Sequence, residues 1–100
     1  MKANPLRGEV DIDLADGPCR LRPSFAALVA AEAELGSLFA LLDRAGAGDI
    51  RLSDMTALCW HCCAASGVDR RQFEDAVLRA GFARILPGYR ALLQAVFGGG

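Results

Sequence analysis

The sequence has no marked excess of either charge. Its 100 residues contain 11 Lys and Arg against 12 Asp and Glu, which gives a formal net charge of −1. Such a balance creates no long-range field that would attract nucleic acid or an acidic lipid surface. We therefore predict that the protein binds neither nucleic acid nor a membrane.

Long apolar runs are also missing. The longest run without a polar side chain is FAALVAA, residues 25–31, whereas a helix that crosses a bilayer needs about 20 apolar residues. The opening MKANPLRGEV lacks the apolar segment of a secretory signal. These absences favour a cytoplasmic, reducing location, where the four cysteines are expected to remain thiols.

Neither an internal repeat nor a low-complexity stretch divides the chain. A chain of 100 residues buries about two-thirds of its unfolded surface, which is enough for one modest core. We predict a single domain over residues 1–100, made of an N-terminal arm at 1–8, a β-hairpin at 9–22, a helical body at 23–97 and a flexible tail at 98–100.

The segment EVDIDLADGPCRLR, residues 9–22, has the pattern of a β-hairpin. Apolar and acidic residues alternate in EVDIDL, and the dipeptide DG that follows is a turn signal. We predict a register that gives the hairpin one apolar face and one face of paired opposite charges. The predicted pairs are Leu14 with Cys19, Asp13 with Arg20, Ile12 with Leu21 and Asp11 with Arg22. Because proline has no N–H to close a two-residue loop, this register predicts a four-residue loop from Ala15 to Pro18.

The remaining apolar residues recur with the 3.6-residue period of helices. Polar caps and glycine stops predict a first helix from Pro23-Ser24 to Gly36, a second from Ser37 to RAGAGD, a third from Ser53 to Gly67, a fourth from Asp69 to Gly81 and a last from about Pro87. An isolated hairpin is marginal in water, so its apolar face should rest on these helices. The expected fold class is α+β, mainly α, with an N-terminal β-hairpin packed on a bundle of four to five short helices.

The segment ALCWHCCAASG, residues 57–67, holds three of the four cysteines and the only histidine and tryptophan. On a helix, Cys59, Cys62 and Cys63 would project within about 100° of arc, away from the histidine. A zinc site needs a fourth ligand, which Cys19 alone could add, and a redox motif belongs at the start of a helix. We interpret the cluster as core packing, because free cysteine behaves as a small buried hydrophobe. A metal or thiol protein that uses this cluster is the alternative.

The segment DRAGAGDIRLSD, residues 43–54, has the length of a calcium loop and lies between two apolar helices. Asp43, Gly48 and Asp54 stand at its first, sixth and twelfth positions. Alanines occupy the third and fifth positions and an arginine the ninth, so oxygen ligands are too few to offset dehydration of the ion. We interpret the segment as a connector in which Gly48 turns the chain and Ile50 packs into the core.

No arrangement of catalytic residues is evident. Glu32 and Glu34 lie on different faces of the first predicted helix, and the glycines of AGAGD neither follow a strand nor precede a Lys-Ser/Thr phosphate clamp. No Ser-His-Asp order fits a catalytic triad. We therefore predict no enzymatic activity, no cofactor and no metal site, and interpret the chain as a protein-binding module.

Three blocks of the sequence resemble a known family. These are ANPLRGEV, then LRPSFAALVAAEAELGSLFALL, and then a D-x-x-x-L-x-W arrangement at Asp54, Leu58 and Trp60. They are similar to the small tail proteins of gene transfer agents, which are phage-like particles of alphaproteobacteria. The resemblance covers about residues 3–65. The short turn ADGPC departs from the family, in which an aromatic or larger apolar residue is usual near Cys19.

The resemblance implies a role in building a phage-type tail. Two roles are attached to the family: a structural tail tube subunit, and a tail assembly chaperone that coats the tape measure protein until the tube polymerises around it. A tube ring needs long strands that close a barrel between subunits, whereas this chain has one short predicted hairpin. We therefore expect a chaperone in the cytoplasm of the producing bacterium; a structural subunit would lie in the particle tail.

The implied partners are the tape measure protein or other tail proteins, with self-association as a further interaction. A small helical body with apolar grooves suits the binding of a long amphipathic helix. The candidates for such a surface are the large apolar side chains that are least needed by the apolar stripes with which the predicted helices form the core. We predict partner binding by Trp60, Tyr89, Leu93 and Phe97.

Overall fold

The computed structural model describes residues 8–63 and 68–98. In these ranges the chain forms a two-stranded antiparallel hairpin followed by five helices. The strands are β1 (Val10–Leu14) and β2 (Gly17–Leu21), and the helices are α1 (Phe25–Leu35), α2 (Leu38–Gly46), α3 (Leu52–His61), α4 (Arg70–Ala80) and α5 (Phe82–Gly98). The predicted α+β, mainly α class is confirmed. Most of the predicted N-terminal arm and the last two residues of the predicted tail lie outside the described residues.

The register of the hairpin differs from the predicted one. The observed pairs are Val10–Leu21, Asp11–Arg20, Ile12–Cys19, Asp13–Pro18 and Leu14–Gly17. The predicted pairing and the predicted four-residue loop are therefore wrong: the pairs shift by two residues, and Ala15 and Asp16 form the loop. Since side chains alternate with a period of two, this shift leaves every residue on its predicted face, and the face pattern cannot distinguish the two registers.

Turn geometry and charge explain the observed register. Gly17 has a φ of 124°, a conformation that glycine adopts without a steric penalty, so the chain can turn before it reaches Pro18. Arg22, which lies beyond the last strand pair, binds Glu9 at 2.9 Å instead of the predicted Asp11.

Polar caps begin three of the helices at the predicted positions. Ser24, Ser37 and Asp69 each accept a hydrogen bond from the backbone N–H three residues later, at 3.1, 3.2 and 3.1 Å, which satisfies a donor that the first helical turn leaves free. Gly36 and Gly81 end α1 and α4. Both have positive φ, 81° and 95°, as is usual for a glycine that stops a helix.

The third helix is shorter than predicted. It ends at His61 instead of Gly67, and Cys62 is its C-cap. Cys63 then forms an antiparallel bridge with Leu21 of β2, so the chain pairs with the hairpin directly after the helix ends. Residues 64–67 lie outside the described residues.

The last helix begins five residues earlier than predicted, at Phe82, and Pro87 lies inside it. A proline inside a helix removes one backbone hydrogen bond and is usually destabilising. In α5 it precedes Gly88, where the helix meets β1 so closely that a Cβ atom would overlap the side chain of Ile12. The dipeptide Pro87-Gly88, which usually breaks helices, therefore lies where α5 packs closely on the hairpin.

The core lies between the hairpin and the helices, and each of the seven described elements contributes to it. Its buried members are Ile12, Leu21, Ala31, Leu41, Met55, Leu58, Cys59, Cys62, Phe73, Val77, Ile85, Tyr89, Leu92 and Leu93. The hairpin contributes Ile12 and Leu21, which are 2% and 0% exposed. Its apolar face therefore rests on the helices, as the sequence predicts.

Candidate functional site

An open apolar groove lies between the end of α2, the connector that follows it and the C-terminal half of α5. Its volume is about 540 Å³. The side chains that line it include Leu42, Ile50, Arg90, Leu93, Gln94 and Phe97. The groove is mostly apolar, with two polar side chains, both from α5. Such a composition is typical of a surface that holds an apolar segment and orients it through a few polar contacts.

The connector between α2 and α3 forms one wall of the groove. Gly48 turns the chain there with a φ of 89°, and Ile50 packs against the core, as predicted. The Arg44 guanidinium donates to Asp54 at 2.9 Å, so the carboxylate at the last position of the apparent calcium loop binds an arginine. Among the described residues no group of three or more His, Cys, Asp or Glu side chains is arranged to hold a metal ion.

An aromatic pair extends the groove. The ring of Phe97 packs against Phe39 of α2, with ring centroids 5.1 Å apart and planes inclined at 59°. Phe39 is 70% exposed, an unusual state for a large aromatic side chain. The two rings add apolar surface beside the groove, and such surface commonly marks an interaction site.

The rim of the groove carries a positive charge from α5. Arg90 is exposed and lines the groove, and it forms no ion pair within residues 8–63 and 68–98. Gln94 lies one helical turn further along α5, and residues four apart face the same side of a helix. Along its α5 edge the groove therefore presents an amide and a cation that has no ion-pair partner among the described residues.

The four predicted partner-binding residues are not all placed as the prediction assumes. Leu93 and Phe97 line the groove, but Trp60 and Tyr89 do not line it. Tyr89 and Leu93 are 1% and 5% exposed and belong to the core, so the premise that the core needs them least is wrong. Partner binding by the four side chains stays a prediction, for which Phe97 and the outer edge of Leu93 have the most suitable positions.

Trp60 belongs to a separate polar network that joins three helices. The Arg70 guanidinium lies 4.9 Å from the centre of the Trp60 ring, a distance typical of cation–π contact. Arg70 also donates to Glu34 of α1 at 2.7 Å, and His61 Nε2 lies 2.8 Å from the same carboxylate oxygen. Hydrogen bonds from Arg70 and then from His61 lower the pKa of Glu34 from about 4.5 to about 2. Spacing in the sequence did not indicate this network.

The interior of the chain accommodates two of the four cysteines. Cys59 and Cys62 are 0% and 1% exposed and lie within the core, which confirms core packing for these two. Burial raises the pKa of Cys62 to about 12 and raises that of Cys59 further. A thiol with so high a pKa is a poor nucleophile near neutral pH. Cys19 and Cys63 are half-buried, and their sulfur atoms lie 3.5 Å apart.

Within the described ranges no single helix is long and apolar enough to cross a membrane. The pair α1 and α2 meets the length and composition criteria only when taken together, and the two helices are bent by 76° relative to each other.

Comparison with known proteins identifies the family of the chain. A family model described as phage tail tube protein, GTA-gp10, matches residues 7–99. The search of curated proteins and the search of solved structures each returned no match. The family match spans the hairpin and all five described helices and agrees with the sequence resemblance to gene transfer agent tail proteins. Proteins of this kind associate with other tail proteins or with copies of themselves. The chain belongs to the phage tail tube protein, GTA-gp10 family.

Proposed function

We propose that the protein is a tail assembly chaperone of a gene transfer agent or prophage, and that it holds an amphipathic helix of the tape measure protein until the tail tube forms. The observation that supports this role is the apolar groove of about 540 Å³ between α2 and α5. Grooves of this kind accept the apolar face of a helix through side chains spaced three and four residues apart.

The groove also indicates the chemistry of the client helix. Leu42, Ile50, Leu93 and Phe97 would contact its apolar stripe. Arg90 has no ion-pair partner in the described part of the chain, so the best client carries an acidic residue beside that stripe. Complementary charge at a rim increases specificity and the rate of association more than affinity.

The size of the sheet supports a chaperone over a tube subunit. In the described residues the sheet has two strands of five residues each, and a strand of that length spans about 17 Å. A tube ring would need strands that pair from one subunit to the next around a closed barrel. Most residues of this chain lie in helices, and helices do not form strand pairs between subunits.

A structural tail tube subunit is the second candidate, because the description of the matching family names a tube protein. In that role copies of the chain would pack against one another in the particle. The outer face of α1 would suit such contacts, since Phe25 and Val29 are 84% and 49% exposed. This candidate predicts the protein in finished particles, whereas the chaperone is predicted in producing cells.

Two measurements test the proposal. Tagged protein, co-expressed with the tape measure protein of the same tail gene cluster, should retain it through a pulldown, and an unrelated tail protein should not be retained. Quantitative mass spectrometry should then find the chain in producing cells at a much higher ratio to tape measure protein than in purified particles. Failure of the pulldown, together with many copies per particle, would replace the chaperone with the tube subunit.

A further inference from the structure

The sulfur atoms of Cys19 and Cys63 are in van der Waals contact although the residues lie 44 positions apart in the chain. Their Sγ atoms are 3.5 Å apart, and either thiol can donate to the other. Both side chains are half-buried, whereas Cys59 and Cys62 are fully enclosed in the core. A small reagent can therefore reach the first pair more easily than the second.

Backbone contacts hold the two cysteines in place. Cys63 forms an antiparallel bridge with Leu21 of β2, and the N–H of Arg22 donates to the carbonyl of Cys62 at 2.6 Å. Cys19 lies on β2, two residues before Leu21 and on the same face of the strand. The contact between the sulfur atoms therefore follows from pairing between the hairpin and the end of α3.

We propose that Cys19 and Cys63 form a disulfide when the protein meets a mild thiol oxidant, and that this bond fastens the hairpin to the end of α3. The Sγ–Sγ distance of 3.5 Å must shorten to about 2.05 Å. Rotation of the two half-buried side chains about their Cα–Cβ bonds would supply this change. The proposal is independent of the tail assembly role.

The reaction is a two-electron oxidation, and oxidised glutathione supplies the oxidant. One protein thiolate attacks the glutathione disulfide, which releases one reduced glutathione and leaves a mixed disulfide. The second protein thiolate attacks the protein sulfur of that mixed disulfide, forms the Cys19–Cys63 bond and releases the second reduced glutathione. The two protons of the protein thiols are taken up by the departing glutathione thiolates.

The environment of Cys19 slows attack by its thiol. Burial, followed by the neighbouring Cys63 thiol, raises the pKa of Cys19 to about 12. Because the thiolate is the reactive form, the bond should form slowly at pH 7 and faster as the pH rises. A reducing cytoplasm keeps such pairs as thiols whatever their rate of oxidation, so the bond is expected in an oxidising compartment.

The test uses the purified full chain, treated with oxidised glutathione at pH 8.5 under native conditions. Thiol titration after denaturation should fall from four thiols, the number in the sequence, to two. The intact mass should fall by two hydrogens, and the midpoint of thermal unfolding should rise by roughly 10 °C. Dithiothreitol should reverse all three changes.

Variants assign the bond to its two residues, because Cys59, Cys62 and Cys63 lie on one tryptic peptide. Cys63→Ser and Cys19→Ser should each keep all of their remaining thiols under the same treatment, while Cys62→Ala should still lose two. Circular dichroism of each variant checks that it is folded. The proposal is overturned if the wild-type protein keeps four thiols, if Cys63→Ser still loses two, or if the bond joins two chains instead of two residues of one chain.

Discussion

Gly88 of α5 lies against Ile12 of β1 so closely that a Cβ atom at residue 88 would overlap the Cγ2 atom of the isoleucine. Ile12 is 2% exposed, so its side chain is enclosed by the core and cannot turn out into solvent. This contact fixes the position of the hairpin on the last helix.

Gly88→Ala should destabilise the protein by about 1–2 kcal/mol. Overpacking of a core costs about 1–3 kcal/mol, and the higher helix propensity of alanine returns up to about 1 kcal/mol. Urea unfolding followed by circular dichroism measures the difference. Gly46→Ala is the matched control in α2, because a Cβ atom there meets nothing within 4 Å. If both variants are as stable as the wild type, α5 does not pack tightly on Ile12 at residue 88.

Tyr89 and Phe97 should respond differently to truncation. Tyr89 is 1% exposed, and loss of a buried aromatic side chain costs about 3–5 kcal/mol, so Tyr89→Ala should unfold the protein or leave it marginal. Phe97 is half-buried at the groove, and Phe97→Ala should fold but bind the tape measure protein at least ~5-fold more weakly. Thermal unfolding and a binding titration separate the two effects. Equal loss of stability in both variants would remove Phe97 from the proposed surface.

Reversal of the charge at residue 90 should weaken client binding. Arg90→Glu places a like charge opposite the expected acidic residue of the client helix, and we expect at least a ~10-fold loss of affinity that lessens as salt is added. Arg84→Glu is the control, because Arg84 is exposed on the same helix but does not line the groove. If wild-type protein binds the client and both variants bind it equally well, the groove is not the site; if the wild type does not bind, the chaperone role itself fails.

Glu34 should contribute to stability in acid. Its pKa is lowered from about 4.5 to about 2 by Arg70 and then His61, so the unfolded chain binds the proton more tightly than the folded one. The stabilisation is complete above pH 4.5 and is lost as the pH falls towards 2. Glu34→Gln should therefore flatten the pH dependence of unfolding between these values. The effect should be modest, because the carboxylate is 37% exposed and exposed ion pairs are weak.

Glu32→Gln is the control for that measurement. Glu32 lies two residues from Glu34 on α1, and its side chain makes no ion pair in the described parts of the chain. Its variant should keep the acid slope of the wild type. A slope that is unchanged in Glu34→Gln, or lost equally in both variants, would contradict the role of the network.

Local rules predicted most of the secondary structure. The caps at Ser24, Ser37 and Asp69 depend on hydrogen bonds to residues three positions away, and the glycine stops depend on the conformation of one residue. Such features depend on a few consecutive residues, so the sequence alone predicts them. The register of the hairpin is less local, since a shift of two residues preserves both faces and only the turn decides between the alternatives.

The candidate site was predicted only in part, and the error has a structural origin. The last helix begins at Phe82, ahead of Pro87, and Ile85, Tyr89 and Leu92 form one buried stripe along it. The helix that the sequence predicts from Pro87 already includes Tyr89 and Leu93, but apolar spacing alone does not show which of its large side chains the core needs. The Glu34–Arg70 pair lies 36 positions apart, and no pattern along the chain brings such distant residues together before the fold is known.

The packing of β1 on α5 has a consequence for how the molecule is made. A two-stranded hairpin is barely stable by itself, and its support comes from the helix that leaves the ribosome last among the described elements. The contacts between β1 and α5 can therefore form only after α5 has been synthesised. Contacts between such distant segments slow folding, and until then Ile12 lacks the helix that packs against it.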